Sequence, residues 1–229
     1  MLVSFLLIII VILLSSLAYV GKRANETDWG SSHANILDGL LRIFCRRYHR
    51  LQGELIPLPD CGPAIIASNH ISGLDPFLIF ASCKRPIHFM IAENEYYRFG
   101  VTWLFKLSGC IPVDMNGRGD GAIRAAARAL EEGKVIALFP QGGIHREHKP
   151  RNRLKRGVYK LAELSGAPVF PLYISNVRGA GHVVKSVFQR GKPRLQSFPP
   201  IECAGLDHHT CLKELARHLK VDHPSDALK

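Results

Sequence analysis

Hydrophobic patterning divides the chain into three stretches of different character. The first, Met1 to Val20, contains no charged side chain and is dominated by Leu, Ile and Val. As a helix rising ~1.5 Å per residue it reaches about 30 Å, enough to cross a bilayer's hydrocarbon core, so it predicts a membrane helix. A cleaved secretory signal would need a basic region ahead of a shorter apolar run, and only the amino terminus itself precedes this one. After a polar stretch, Lys22 to Ser32, apolar positions recur at helical spacing from Ala34 to Leu51. Leu37, Leu40, Leu41, Phe44, Tyr48 and Leu51 fall on one side of that helix, and Arg42, Arg46 and Arg50 form a column on the other. Such a basic amphipathic helix suits an anionic leaflet, with arginines near the headgroups, or packs on a core with its charged face solvated.

From Cys61 onward short apolar runs alternate with helical ones. Strand-like runs occupy Ala64 to Ser68, Ile87 to Ile91, Ile111 to Val113, Val135 to Phe139 and Val169 to Ile174. Helical stretches occupy Glu93 to Leu107, Asp120 to Glu132 and Leu154 to Leu164, the last two followed by Gly133 and Gly166 at stop positions. This alternation predicts an α/β fold, a single domain around a largely parallel sheet flanked by helices, preceded by the N-terminal membrane helix. Beyond Ile174, His182 to Phe188 and Arg194 to Phe198 read as further strands and Leu212 to Leu219 as a final helix. The end, Val221 to Lys229, reads as frayed. The expected organisation is a membrane anchor over 1–21, a linker with the basic amphipathic helix over 22–60, and the folded domain over 61–229.

Charge narrows the partners. With 229 residues and 47% apolar composition the chain can bury one core, and its formal net charge of +11 favours a polyanionic partner. A nucleic acid, an anionic membrane surface and a phosphate-bearing substrate all qualify, and the apolar amino terminus favours the last two. No zinc-finger spacing or RNA-recognition signature is present, so nucleic acid is not an expected partner. Lys22 and Arg23 directly after the apolar span, with the arginines that follow, place the domain on the cytoplasmic face of the membrane. Asn25-Glu26-Thr27 is a glycosylation sequon that would matter only in the opposite topology. Six cysteines without a Cys-x-x-Cys pair write neither a zinc site nor a redox motif, and reduced, buried thiols are expected.

The chemistry centres on Ala67-Ser68-Asn69-His70-Ile71-Ser72-Gly73-Leu74-Asp75-Pro76, where an imidazole and a carboxylate lie five residues apart. A neutral imidazole oriented by a carboxylate can take a proton from a hydroxyl. His-x4-Asp alone is a weak signal. It is followed in order by Gly109-Cys110-Ile111-Pro112-Val113-Asp114, Phe139-Pro140-Gln141-Gly142-Gly143, Leu154-Lys155-Arg156-Gly157 and Gly166-Ala167-Pro168-Val169-Phe170-Pro171-Leu172. Together these resemble the ordered motifs of the glycerolipid acyltransferases, the family that includes lysophosphatidic acid acyltransferases, over about residues 60 to 175.

The resemblance implies a membrane-bound O-acyltransferase that moves a fatty acyl group from acyl-CoA or acyl carrier protein to a lysophospholipid hydroxyl, in the first instance that of 1-acyl-glycerol-3-phosphate. It makes 61–229 the acyltransferase domain, His70 the general base and Asp75 its orienting acid, with direct transfer and no acyl-enzyme. Asn69, Arg118, Gln141, Gly142, Arg146 and Lys155 are the expected substrate-binding residues. Membrane lipids and the acyl donor are the expected partners; no cofactor or metal is implied, and oligomeric state is not encoded in any motif. The chain departs from the family where arginine would follow the second-motif Asp and where Glu-Gly-Thr-Arg would follow Phe-Pro. Met115, Gln141, Gly143 and Ile144 stand there instead. Arg118 and Arg146, with the basic run His148, Lys149, Arg151, Arg153, Lys155 and Arg156, offer displaced cations for a phosphate. The same departures admit a different acceptor, an amino-acid lipid or glycolipid, or a catalytically inactive lipid-binding scaffold. Tyr96, Tyr97, Phe99, Trp103, Leu104 and Phe105 form an aromatic-rich segment suited to an acyl tunnel, a membrane interface or ordinary core.

Overall fold

The computed structural model describes residues 1–115, 117, 119–145 and 153–221. In chain order the elements are α1 (Leu2–Ala24), α2 (Ser32–Ile43), β1 (Ala64–Ser68), α3 (Asp75–Ala81), β2 (Ile87–Ala92), α4 (Glu93–Tyr96), α5 (Thr102–Leu107) and β3 (Ile111–Val113). They continue with α6 (Asp120–Glu131), β4 (Val135–Leu138), α7 (Gly157–Ser165), β5 (Val169–Ser175), α8 (Val184–Phe188), β6 (Arg194–Ser197) and α9 (His208–Leu219). The strands form one sheet in the order β3-β2-β4-β1-β5-β6, parallel except for β6, which runs antiparallel to β5. The expected α/β domain with a largely parallel sheet is therefore present.

The central strands are apolar without interruption because both faces of the sheet are covered. Alternate residues of β1 and β4 point to opposite faces. Ala64, Ile66, Val135 and Ala137 join Leu74, Leu78 and Ile79 in one core, while Ile65, Ala67, Ile136 and Leu138 join Leu130, Val158, Leu161, Leu212 and Leu215 in the other. Ala67 pairs in register with Leu138, so the loops leaving β1 and β4 emerge side by side at the carboxyl edge. That edge is where parallel α/β sheets place their crevice.

α1 has a mean hydropathy of 2.8 over its most apolar window and leaves its apolar side chains exposed, so it is long and apolar enough to cross a membrane. Its carboxyl end lies against α2 at backbone contact: a Cβ on Gly39 would fall 1.8 Å from the Gly21 carbonyl oxygen.

Five local readings of the sequence are corrected. The arginine column does not face headgroups as a unit, because Arg42 is buried. Its guanidinium bonds Asp38, Glu26, Thr27 and the carbonyls of Ala81 and Cys83, and Arg46 pairs with Glu26. This arrangement clamps α2 to the end of α3, and Thr27 of the sequon is buried within it. The helix expected to reach Leu51 also changes pitch, closing on a π-helical turn at Phe44–Tyr48. The stretch from Glu93 to Leu107 is two helices, broken where Gly100 adopts φ +86°. Tyr96 and Phe105 pack inward, whereas Tyr97, Phe99 and Trp103 are exposed. The run from His182 to Phe188 is helical in α8, where Ser186 Oγ donates to the carbonyls of His182 and Val183. Short apolar runs do not distinguish strand from helix by periodicity, and β6 already occupies the free edge of β5.

The fifth correction concerns the thiols, since Cys203 and Cys211 form a disulfide. Asp207 caps α9 by accepting from the backbone N–H groups of His209 and Thr210. The first turn thereby folds back over Cys203, bringing the Cα atoms within 5.3 Å across an eight-residue separation. Cys45, Cys83 and Cys110 are free and buried, and Cys61 is free and exposed.

Candidate active site

The turn that carries His70 and Asp75 begins where β1 ends. Asn69, buried, bonds Ile174 of β5 through both halves of its amide: Oδ1 accepts from the Ile174 N–H at 2.7 Å and Nδ2 donates to its carbonyl at 2.9 Å. The side chain thus continues the strand pairing one residue past β1 and ties the turn to the sheet. The His70 N–H then donates to Gln141 Oε1 at 2.8 Å, and the His70 carbonyl accepts from the His145 N–H at 2.8 Å. Both backbone groups of His70 are held by the loop leaving β4.

Asp75 opens α3 and has no exposed surface. Its Oδ2 lies 2.9 Å from His70 Nδ1 and accepts from the N–H groups of Ile71 at 2.7 Å and Ser72 at 2.8 Å. Its Oδ1 accepts from Ser72 Oγ at 2.5 Å. A buried carboxylate needs such donors to replace lost water. With a carboxylate as partner, Nδ1 carries the ring proton and Nε2 keeps its lone pair. The ring stacks on Phe139 with centroids 3.9 Å apart and planes inclined by 11°, and its side chain is 16% exposed. It is therefore oriented on one face yet reachable.

Gly73 is demanded by packing. A Cβ there would lie 2.1 Å from the Val183 carbonyl, because the loop after β5 runs directly over the turn. That loop is bonded to it twice, through Gly181 N–H to the Ile71 carbonyl at 2.7 Å and Gly73 N–H to the His182 carbonyl at 3.3 Å. On the other side, Gly142 takes φ +74°, and a Cβ on it would meet Lys155 Nζ at 2.7 Å. The Lys155 N–H donates to the Pro140 carbonyl at 2.8 Å.

The fold thus gathers His70, Asp75, Asn69, Gln141, Gly142 and Lys155 around one turn. Arg118 and Arg146 lie outside the described residues. Asn69 and Gln141, expected from the sequence as substrate-binding residues, bond backbone groups of the turn and of β5, Asn69 through both halves of its amide and Gln141 through Oε1. Sequence reasoning missed the ring stacking of Phe139 and the backbone bond from His145. Phe139 stands inside a recognised motif, so an aromatic at that point was the available signal. The His145 contact had none, since it joins residues 75 positions apart.

This geometry can remove a proton from a hydroxyl presented at Nε2. Ser72 is already engaged, donating to Asp75 and accepting from the Leu74 N–H. Burial pushes the Cys45 thiol up to about 12 and the Cys110 thiol up to about 11, suppressing the thiolates that would act as nucleophiles.

The comparisons with known proteins agree with this arrangement. Over 160 residues the chain is 26% identical to a 1-acyl-sn-glycerol-3-phosphate acyltransferase of Bacillus subtilis (strain 168), covering 69% of this chain and 77% of that protein. It is 26% identical over 155 residues to an N-acylphosphatidylethanolamine synthase of Arabidopsis thaliana, covering 62% of this chain and 53% of that protein. Its fold is similar to the crystal structure of the 1-acyl-sn-glycerophosphate (LPA) acyltransferase PlsC from Thermotoga maritima. The TM-score is 0.66 at 21% identity, over 84% of this chain and 80% of that one. The acyltransferase family model matches residues 50–175, more than half of the chain and the span holding every ordered motif, so the chain belongs to the acyltransferase family.

Proposed function

We propose that the protein is a membrane-bound O-acyltransferase that moves a fatty acyl group from a thioester donor, acyl-CoA or acyl carrier protein, to the free hydroxyl of a lysophospholipid, foremost 1-acyl-glycerol-3-phosphate. The observation that carries the reading is the His70–Asp75 pair, bonded at 2.9 Å on a turn clamped from both neighbouring loops. His70 Nε2 takes the hydroxyl proton as the acceptor oxygen attacks the thioester carbonyl. Asp75 holds the ring tautomer and stabilises the imidazolium. Collapse of the tetrahedral intermediate breaks the carbon–sulfur bond, and the departing thiolate recovers the proton from the imidazolium. No protein nucleophile takes part. The similarity to the Bacillus enzyme supports the acceptor class. The apolar α1 followed by Lys22 and Arg23 supports an anchored enzyme with its domain on the cytoplasmic face.

A second reading concerns the acceptor alone. Met115 stands exposed and Ile144 follows the third-motif glycines where the family carries arginines, and one relative is named for acylating a phosphatidylethanolamine nitrogen. An amino-acid lipid, glycolipid or amine-bearing lipid acceptor fits these substitutions. Radiolabelled acyl-CoA offered with a panel of lyso-lipids and amine lipids decides between them. Acylation of lysophosphatidate first among the panel supports the main reading, and preference for a headgroup without a terminal phosphate supports the second. Tight lipid binding without product, from any acceptor, leaves an inactive scaffold. In the same assay His70→Ala is expected to lower turnover by at least ~10²-fold with the melting temperature retained; near-normal turnover removes His70 from the mechanism.

A further inference from the structure

Three segments outside the catalytic turn meet around an open bowl of about 520 Å³, lined by Arg50, Gln52, Asn176, Arg178, Arg190 and Lys192. Arg50 and Gln52 follow the π-helical turn after α2, and the Gln52 N–H bonds the Pro193 carbonyl at 2.9 Å. Asn176 and Arg178 follow β5, and Arg190 and Lys192 precede β6. The bowl therefore sits at the carboxyl edge of the sheet, on the side of β1 away from β4. Its volume falls within the ~300–1,000 Å³ of small-molecule sites.

Four cations converge there, and none of them is in an ion pair among the described residues. Arg190 is fixed by its Nε, which donates to the Tyr48 carbonyl at 2.9 Å, and its guanidinium lies 6.0 Å from the Tyr48 ring centroid. Its terminal nitrogens have no protein partner among the described residues. Among the described residues, every side chain that lines the bowl is polar or charged. Clustered like charges repel, and a bound anion relieves that repulsion. The bowl thus suits a hydrophilic polyanion and offers nothing to an acyl chain.

Position selects among anions. Ile174, bonded to Asn69, is two residues from Asn176, and the loop from Asn176 continues over the catalytic turn through Gly181 and His182. With strands ~4.8 Å apart, the bowl lies on the order of 10 Å along the sheet edge from the end of β1. A lysophosphatidate phosphate is separated from its hydroxyl by only a few bonds, so its cations must stand beside His70. A coenzyme A thioester differs, because a long pantetheine arm separates its phosphates from the reacting carbonyl. Its 3′-phosphate and diphosphate together carry about four negative charges near neutral pH, matching the four cations.

We infer that this bowl binds the phosphates of a coenzyme A-type acyl donor whose thioester reaches His70. The inference rests on the donor class proposed above and deepens it by choosing the nucleotide donor over the carrier protein. The test uses the full chain in liposomes and the variant Arg178→Glu/Lys192→Glu, whose two side chains are exposed and make no hydrogen bond or ion pair in the described structure. The expected result is a rise in KM for acyl-CoA of about tenfold or more with the acceptor KM held. Adenosine 3′,5′-bisphosphate should compete with acyl-CoA in the parent and lose at least tenfold in potency against the variant. The neutral variants Arg178→Ala and Lys192→Ala, expected to move donor KM in the same direction by smaller factors, guard against a folding defect in the double variant. A rise in acceptor KM alone reassigns the bowl to a lipid headgroup, and unchanged constants, or use of acyl carrier protein only, also overturn the inference. Equilibrium binding of adenosine 3′,5′-bisphosphate to His70→Ala protein separates the two failures. Binding that depends on Arg178 and Lys192, beside a parent protein that transfers no acyl group to any acceptor, sinks the functional reading, whereas transfer by the parent without such binding sinks the bowl.

Discussion

His70 is positioned by hydrogen bonds that a substitution can remove one at a time. Asp75 receives four donors and presents only oxygen to them. In Asp75→Asn one of those oxygens becomes an NH₂ group, so at least one buried contact is lost and the preferred ring tautomer is no longer enforced. Turnover should fall by at least ~10²-fold, and stability by about 1–3 kcal/mol. Steady-state rates measured beside thermal melts check both. Gln141 offers a subtler case. Its Oε1 is the acceptor for the His70 N–H, so Gln141→Ala leaves a buried donor unsatisfied at a cost of about 1–3 kcal/mol and loosens the ring. A turnover loss of ~10-fold or more is expected, while Gln141→Glu, which keeps the acceptor oxygen, retains most activity. Equal rates for the Ala and Glu variants would show that the bond does not position His70. The pairing of His70 with Asp75 was legible because five residues of a tight turn bring them together locally. The partnership with Gln141 was not, since it spans 71 positions and depends on β1 and β4 being neighbours.

At the scale of elements, strands β1 to β5 were readable from the chain because parallel strands under helices are short, mostly apolar runs, a signal carried by each segment itself. α8 was misread because seven residues, of which Val183, Val184, Val187 and Phe188 are apolar, are too few for their spacing to separate the two conformations. The placement of α2 likewise depended on tertiary contacts. Its hydrophobic face was visible, yet Arg42 on the opposite face lies in a pocket of carbonyls and carboxylates contributed by Glu26, Thr27, Asp38, Ala81 and Cys83. Arg42→Met removes the positive charge and strands the buried Asp38 carboxylate. The expected destabilisation is about 3–5 kcal/mol, and α2 should release from α3. Denaturant unfolding and limited proteolysis between α2 and β1 measure it. Native-like stability and protection would mean that apolar packing alone seats the helix.

For the whole molecule, two imidazoles drawn wholly or partly out of water, His49 and His88, link folding to acidity. Burial lowers the pKa of both His49 and His88 from the ordinary 6.5, although each ring also bonds a carbonyl that acts in the opposite sense. The unfolded chain therefore binds protons at these sites at a higher pH than the folded one. Their contribution leaves stability undiminished above about pH 6.5 and erodes it as pH falls through the window between the unfolded and folded values. The melting temperature should drop between pH 7 and pH 5, and His49→Gln/His88→Gln should flatten that slope. An unchanged slope in the double variant would assign the acid sensitivity to other groups.

The sequence by itself determined the features written in local order: the long apolar helix, the run of parallel strands, and an imidazole with its acid on one turn. Each follows from the period of side chains along a single segment or from the reach of a few residues. Tertiary structure alone decided which carbonyls receive Arg42, that Cys203 meets Cys211, that Gln141 and His145 grip the backbone of His70, and that four cations from three segments share one bowl. These arrangements depend on which strands lie side by side, and strand order arises from burying both faces of the sheet at once, a property no single stretch of the chain contains.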